Sequence, residues 1–135
     1  MEVTLAAVAD AANRAEGGKL NLLGVFTILY AQQVPCQHPM MSLVLNFEAT
    51  AMERGTTQKV GIKLVNEDGH ALITLPESAL AVPNDPHALT PAVNLIVNLN
   101  GLMFESYGAY RFDVDVNGET KAQIPIYVRP TGASS

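Results

Sequence analysis

The sequence is poor in cysteine, tryptophan and basic residues. Its 135 residues include one cysteine, Cys36, no tryptophan, and eight lysines and arginines against thirteen acidic residues. A single cysteine excludes an intrachain disulfide and a thiolate metal cluster. The formal net charge of −5, with the basic residues scattered singly, argues against nucleic acid and anionic membranes as partners, because both attract basic surfaces.

Long hydrophobic runs are also missing. The most apolar stretch, Leu20 to Tyr30, is interrupted by Asn21, Gly24 and Thr27 and is too short to span a bilayer. The first residues, Met1 to Thr4, lack the basic start of an export signal. Together with the lone cysteine, these features predict a cytoplasmic protein.

The overall composition predicts a folded chain. Hydrophobic residues make up 48% and charged residues 16%, which is too apolar for a disordered chain. The length suits one domain, which we expect over residues 1–130, followed by a short flexible tail at 131–135.

Alternation of apolar and polar residues on both sides of Asn117-Gly118 predicts a β-hairpin. The apolar positions are Tyr110, Phe112, Val114 and Val116 before this dipeptide and Ala122, Ile124, Ile126 and Val128 after it. Asn-Gly favours a type I′ turn, which needs positive φ at both central residues and matches the twist of paired strands.

With similar alternation elsewhere, the chain is predicted to contain seven to nine short strands in all, separated by turns. We therefore expect an all-β fold, a single antiparallel β-sandwich of immunoglobulin-like or jelly-roll-like type. The beginning of the chain is ambiguous: we favour a strand to about residue 9 and a loop beyond it, although residues 4–16 also fit a short helix. Residues 32–39 are interpreted as a loop because of their prolines and glutamines.

The stretch Leu20 to Tyr30, interpreted as one strand, is apolar on both faces. If one face meets the core, Leu23, Val25 and Leu29 lie on the other. A strand covered on both faces has something packed on its outer side. The cover is either a loop of the same chain, from residues 34–39 or 83–90, or a partner subunit, and we expect at least a dimer.

An apolar cluster, Gly101 to Phe104, falls in a predicted connection before the last hairpin. Leu102 or Phe104 is expected to fill the core, as such connections do in sandwiches. The alternative is that Met103 and Phe104 form an exposed, adaptable tip that binds a partner.

Gly108, Tyr110 and Phe112 form a pattern that resembles the immunoglobulin-like strand entry. In that motif the tyrosine hydroxyl folds back onto upstream backbone, and we expect the same structural role for Tyr110.

Candidate polar sites have simpler interpretations. His38, His70 and His87 fall in predicted loops without the short spacing that places two imidazoles on one face, so we expect no metal site. Asp113 and Asp115 share a strand face with Arg111, and Lys121 is expected to face them across the hairpin, which favours a solvated charged face over a carboxylate pair. Asn94, Asn98 and Asn100 also share one face, where a solvent-exposed surface is favoured over a sugar- or peptide-binding amide ladder.

The sequence is similar to a small bacterial all-β family of unknown function. The similarity lies in Ala9 to Asn13, Gly18 to Phe26, Pro39 to Leu45, Leu99 to Leu102 and Gly108 to Phe112, and so covers most of the chain. The resemblance implies a compact bacterial β domain, without an assigned activity, cofactor or catalytic residue.

Three functions remain possible from the sequence. The first is a non-enzymatic protein-interaction module; the second is a structural subunit that self-assembles into a homo-oligomer or filament; the third is a small-ligand-binding β domain. An enzyme is the least supported class, because no serine or cysteine has a nucleophile context and no glycine-rich phosphate loop is present. We expect no cofactor.

Overall fold

The computed structural model of the chain describes residues 1–132 and contains ten strands. They are β1 (Glu2–Arg14), β2 (Leu20–Val25), β3 (Ile28–Ala31), β4 (Cys36–Glu48), β5 (Thr57–Val65), β6 (Ala71–Thr74), β7 (Ser78–Ala81), β8 (Ala92–Phe104), β9 (Gly108–Val116) and β10 (Glu119–Pro130). Two single-turn 3-10 helices, Glu16–Gly18 and Ala51–Glu53, complete the regular structure. The expected all-β class is confirmed, but the expected seven to nine strands were too few. In the described part of the chain no helix is long and apolar enough to cross a membrane.

The strands form two sheets. Sheet A has the order β2-β1-β4-β8, and sheet B has the order β3-β10-β9-β5-β6, with β7 beside β6 on the same edge of β5. All neighbours are antiparallel except β3, which runs parallel to β10, so the expectation of a purely antiparallel fold was wrong at that edge.

One hydrophobic core draws on both sheets. Sheet A contributes Val8, Met41, Leu43, Leu45, Phe47, Leu99, Leu102 and Phe104, and sheet B contributes Val60, Ile62, Leu64, Tyr110, Phe112, Val114, Val116, Ile124, Ile126 and Val128. Nearly all these positions follow the period of two that places one strand face inward. The apolar alternation visible in the sequence therefore marks the core face of the long strands.

The last hairpin forms as predicted. Asn117 and Gly118 have φ of 51° and 85°, and β9 and β10 pair on either side of them. The Asn117 side chain is held by the neighbouring strand, since its Oδ1 accepts a hydrogen bond of 3.0 Å from the Lys59 N–H. Tyr110 also has its predicted role: its hydroxyl donates to the Ser106 carbonyl at 2.7 Å.

The beginning of the chain differs from the prediction. β1 continues to Arg14 instead of ending near residue 9, and the helix alternative for residues 4–16 is wrong. The extension forms because β2 pairs with it, from Ala9 opposite Val25 to Arg14 opposite Leu20.

The predicted single strand Leu20 to Tyr30 is two strands in two sheets. The chain crosses from sheet A to sheet B between Val25 and Ile28: the Phe26 N–H donates to the Val8 carbonyl, and the Thr27 carbonyl accepts from Tyr127. The hydrophobicity of the segment is continuous, but its hydrogen-bond partners change.

Two predicted loops belong to long strands. Residues 36–39 begin β4 and residues 101–104 end β8, and these segments pair with each other, Cys36 with Phe104 and His38 with Leu102. Partners distant in sequence thus compensate for local loop-forming residues such as Pro39 and Gly101. Of the predicted tail, Thr131 donates its N–H to the Ala31 carbonyl, and residues 133–135 lie outside the described part.

Candidate interaction surfaces

The outer edge of sheet A carries two exposed apolar side chains. Leu23 is 72% exposed and Val25 is 60% exposed, both on β2, the terminal strand of the sheet. Their cross-strand partners, Ala11 and Ala9, lie on the face of β1 opposite the core residue Val8. We call Leu23 and Val25 the β2 surface; neither of the loops expected as an internal cover buries it.

Sheet A curves so strongly that its two edges approach each other. Near the β1–β2 tip, the Arg14 guanidinium donates to both the side-chain and the backbone oxygen of Asn94 on β8, and the Asn94 amide donates to the Gly18 carbonyl at 3.5 Å. This hairpin folds over the face of sheet A that points away from the core, where Ala9, Ser42 and Val44 are all buried. The contacts of Asn94 with Arg14 and Gly18 therefore stabilise the curvature of the sheet.

The asparagines of β8, for which a solvent-exposed face was favoured over an amide ladder, are partly used within the protein. The Ser42 hydroxyl donates to the Asn98 side-chain oxygen at 2.7 Å, and Asn94 receives Arg14 as described. Asn98 and Asn100 are solvent-exposed, as the sequence predicted, but Asn94 is half-buried.

Leu29 does not belong to the β2 surface. It lies on β3, in the other sheet, and is half-buried against the core. The prediction that Leu23, Val25 and Leu29 share one face was wrong, because the chain changes sheets between residues 25 and 28.

Met103 and Phe104 have opposite environments. Phe104 is fully buried and packs edge-on against the Tyr110 ring, 5.0 Å between centroids, so it does not form the exposed tip considered as the alternative. Leu102 is buried as well, and the interpretation of this cluster as core is confirmed for both. Met103 is 45% exposed and remains a candidate contact residue.

An apolar cleft that the sequence interpretation missed lies between β6 and β8. It has a volume of about 760 Å³ and is bounded by the two sheets where β6 and β8 form their edges. The apolar lining consists of Leu64, Leu72, Ile73, Leu75, Leu99, Leu102 and Met103. A smaller hollow of about 310 Å³, lined by Ile62, Leu75, Pro76, Glu77, Ser78 and Val97, adjoins it at Leu75. The sequence feature that could have indicated this cleft is the uncharged run from Ala92 to Phe104.

The histidines lie apart. His70 and His87 are exposed in turns, as predicted, but His38 is half-buried in β4 beside the Phe26 ring, with centroids 6.0 Å apart. Its Nε2 is buried and has no hydrogen-bond partner among residues 1–132. Cys36 and His38 line one hollow of about 460 Å³, and burial raises the pKa of the Cys36 thiol. Within residues 1–132, no three histidine, cysteine or acidic side chains come together as metal ligands.

The predicted charged face of the last hairpin is only partly solvated. Arg111 pairs with Asp113 at 2.8 Å, as expected for a charged face, but Asp113 is buried. Lys121 does not face these aspartates, because a register shift between Thr120 and Ala122 displaces it. It binds Glu2 of β1 at 2.9 Å instead, which links the two hairpins.

Comparison with known proteins gives a family and a fold. A model of a family of unknown function, DUF6941, matches residues 4–129. No curated protein matches the chain. Among solved structures, the chain is similar to the Pseudomonas fluorescens alkylpurine DNA glycosylase AlkC bound to DNA containing an abasic site analog, with a TM-score of 0.55 and 12% identity. This match covers 95% of the chain but 30% of that structure, and at such low identity it shows the fold alone.

Proposed function

Because the chain belongs to DUF6941, a family of unknown function, we propose a function from its surfaces: it is a non-enzymatic protein-interaction module. The observation that carries this proposal is the β2 surface. Leu23 and Val25 expose most of their side chains on a strand whose outer edge has no neighbour among residues 1–132. Burial of each is worth roughly 1.5 to 3 kcal/mol if complete.

The two side chains alone do not make a stable complex. Association costs about 4 to 15 kcal/mol in lost translational and rotational freedom, while the two side chains supply about 3 to 6 kcal/mol, which offsets at most the low end of that cost. The unpaired backbone groups of β2 provide the rest, since a partner strand can add to an open sheet edge through main-chain hydrogen bonds. Strand β2 therefore supplies both the apolar side chains and the unpaired backbone groups that an edge contact needs.

A protein partner fits the charge better than nucleic acid does. The chain carries a formal net charge of −5, and a phosphate backbone would be repelled by it. We extend the proposal to a cytoplasmic setting, because Cys36 is free and the sequence holds no second cysteine to oxidise with it.

The second candidate is a self-associating structural subunit that uses the same surface. An unpaired edge strand can pair with its own copy around a twofold axis, which is the commonest symmetry of homo-oligomers.

The two sheets are best regarded as one sandwich of immunoglobulin-like or jelly-roll-like type, an interpretation supported by the core that they share.

The test is a double variant, Leu23→Glu with Val25→Glu, compared with Leu89→Glu. Leu89 is 83% exposed in the segment between β7 and β8, so its variant controls for a charge added at an exposed leucine. Affinity capture by the unmodified chain should recover a protein that the double variant loses and the Leu89 variant keeps. If the chain self-associates, light scattering over a dilution series should give an oligomer mass for the unmodified chain and the Leu89 variant and a monomer mass for the double variant. Equal capture and equal mass for all three proteins would contradict both candidates.

A further inference from the structure

The free edge of β8 lacks the usual protection of an edge strand. β8 is thirteen residues long, pairs only with β4 among the described residues, and contains no proline and no charged residue. Its pairing with β4 keeps one register from Ala92 to Phe104, interrupted at Gly101, which has φ of 67° and no partner in the ladder of the described residues. Natural edge strands usually carry charges, prolines or bulges that prevent pairing with another chain. β8 is therefore suited to accept another strand.

The protein's own side chains occupy little of the β8 backbone. Arg14 donates to the Asn94 carbonyl at 3.1 Å, and Gln37 donates to the Gly101 carbonyl at 3.3 Å. These contacts lie near the two ends of the strand. Between them, the core-facing side chains Leu95 and Val97 are only half-buried, as is Val93 just before the first contact, because nothing in sheet B within residues 1–132 covers them fully.

The β6–β8 cleft offers a matching apolar floor. Its lining comes from both sheets, with Leu72 and Leu75 on the sheet B side and Leu99 and Leu102 on the sheet A side. A strand added to β8 would direct every second side chain toward this floor, since side chains alternate between the two faces. The ligand is thus an extended segment with apolar residues at alternate positions.

The charge of the cleft selects among such segments. The ionisable residues that line it and the adjoining hollow are Glu105 and Glu77, both exposed and both acidic. No lysine, arginine or histidine is among the lining residues of either. Complementary potentials across an interface favour the right partner and suppress wrong ones. Lysine or arginine beside the apolar residues would therefore favour binding.

We propose that the β6–β8 cleft binds an extended, lysine- or arginine-flanked segment of a partner protein, which adds as a strand to β8. This inference rests on the proposed interaction function and assigns it a second surface and a ligand chemistry. A second copy of the chain is the less suitable occupant, because its own β8 brings no cation to Glu77 and Glu105.

The experiment uses a labelled nonapeptide probe and the full chain. The probe has lysine at both ends and alternating valine and threonine between them; matched probes replace the lysines by glutamates or the central threonine by proline. Fluorescence anisotropy should show binding of the lysine probe, at least tenfold weaker binding of the glutamate probe, and loss of binding for the proline probe, which cannot complete the backbone hydrogen bonds. Hydrogen exchange should slow at β8 amides when the lysine probe binds.

Two charge-removing variants locate the site. Glu77→Gln and Glu105→Gln should each lower the affinity for the lysine probe about two- to fivefold, as expected for exposed ion pairs. Each should also reduce the salt dependence of binding. Glu119→Gln, at the exposed β9–β10 turn and outside the lining of the cleft and its adjoining hollow, should leave binding unchanged. These substitutions are at exposed positions, so the proteins should remain folded.

The outcomes separate this inference from the function on which it rests. The Leu23→Glu, Val25→Glu double variant should still bind the probe, so loss of partner capture at the β2 surface and loss of probe binding are independent results. Equal affinity for lysine and glutamate probes, or no probe binding by a chain that captures a partner, would overturn the inference alone. Concentration-dependent protection of β8 amides without a probe would identify a second copy as the occupant and overturn it too.

Discussion

The hairpins β1–β2 and β9–β10 are both antiparallel pairs of apolar character, but they end in different environments. In β9–β10 one face lies in the core, with Phe112 and Val114 fully buried. In β1–β2 the tip folds over sheet A and β2 leaves Leu23 and Val25 exposed. The same local architecture therefore stabilises the molecule in one case and presents an apolar surface in the other.

The difference comes from the neighbours of each hairpin. β9 lies between β10 and β5, so both its edges are paired, whereas β2 has β1 on one side only. Removing apolar groups from the β9–β10 hairpin should reduce stability, while the same change in β2 should reduce association. Three predictions test this division, in order of decreasing effect.

The largest effect is expected from core truncation. Phe112→Ala should lower the free energy of unfolding by about 3 to 5 kcal/mol, because it removes a buried ring and leaves a cavity. Leu23→Ala, the matched truncation on β2, should change it by no more than about 0.5 kcal/mol. Urea denaturation of both variants measures the two values. Similar losses would show that the β2 surface is part of the folding core.

A smaller effect is expected from the turns. Gly118→Val should lower the free energy of unfolding by roughly 1 to 2 kcal/mol, because a β-branched residue resists the φ of 85°. Apart from the two adjacent residues, no described atom lies within 4 Å of the added Cβ, so the cost comes from backbone strain and not from a clash. Gly17, with φ of 80° at the β1–β2 tip, is the matched site. Gly17→Val should lower the unfolding free energy less, because the tip can rearrange without exposing the core. The comparison fails if the Gly17 variant is the less stable one by thermal denaturation.

The smallest effect concerns the ion pair that joins the hairpins. The hydrogen bond and charge of Lys121 hold the pKa of Glu2 below its ordinary value of 4.5. A lowered folded-state pKa stabilises the protein above pH 4.5, and this contribution disappears as the pH falls through the folded-state value. Glu2→Gln should therefore reduce stability slightly at neutral pH and flatten its decrease below pH 4.5. Glu16→Gln is the control. Identical profiles of unfolding free energy against pH for the unmodified chain and both variants would mean that the Glu2–Lys121 ion pair contributes nothing to stability.

Elements with strictly local determinants were predictable. Residues within a few positions of one another determine the Asn117-Gly118 turn, the core faces of β9 and β10 and the back-folded Tyr110 hydroxyl.

Of the candidate contact residues, Leu23, Val25 and Met103 are exposed, while Leu29 is half-buried and Phe104 is buried. The uncharged run from Ala92 to Phe104 marks one wall of the cleft between β6 and β8, but the other wall was not predictable, since it comes from a segment about thirty residues away in a different sheet.

By itself, the sequence determined the β class, the alternation that marks the core face, and the last hairpin, because a period of two and a turn dipeptide act over short distances. Only the tertiary structure decided that residues 20–31 form two strands in different sheets and that Cys36–Pro39 pairs with Gly101–Phe104. The hydrophobicity of a leucine or a phenylalanine side chain is the same at every position of the chain, so it does not by itself decide burial. Whether such side chains are buried, as Phe104 is, or exposed, as Leu23 is, depends on which distant strand satisfies the backbone beside them.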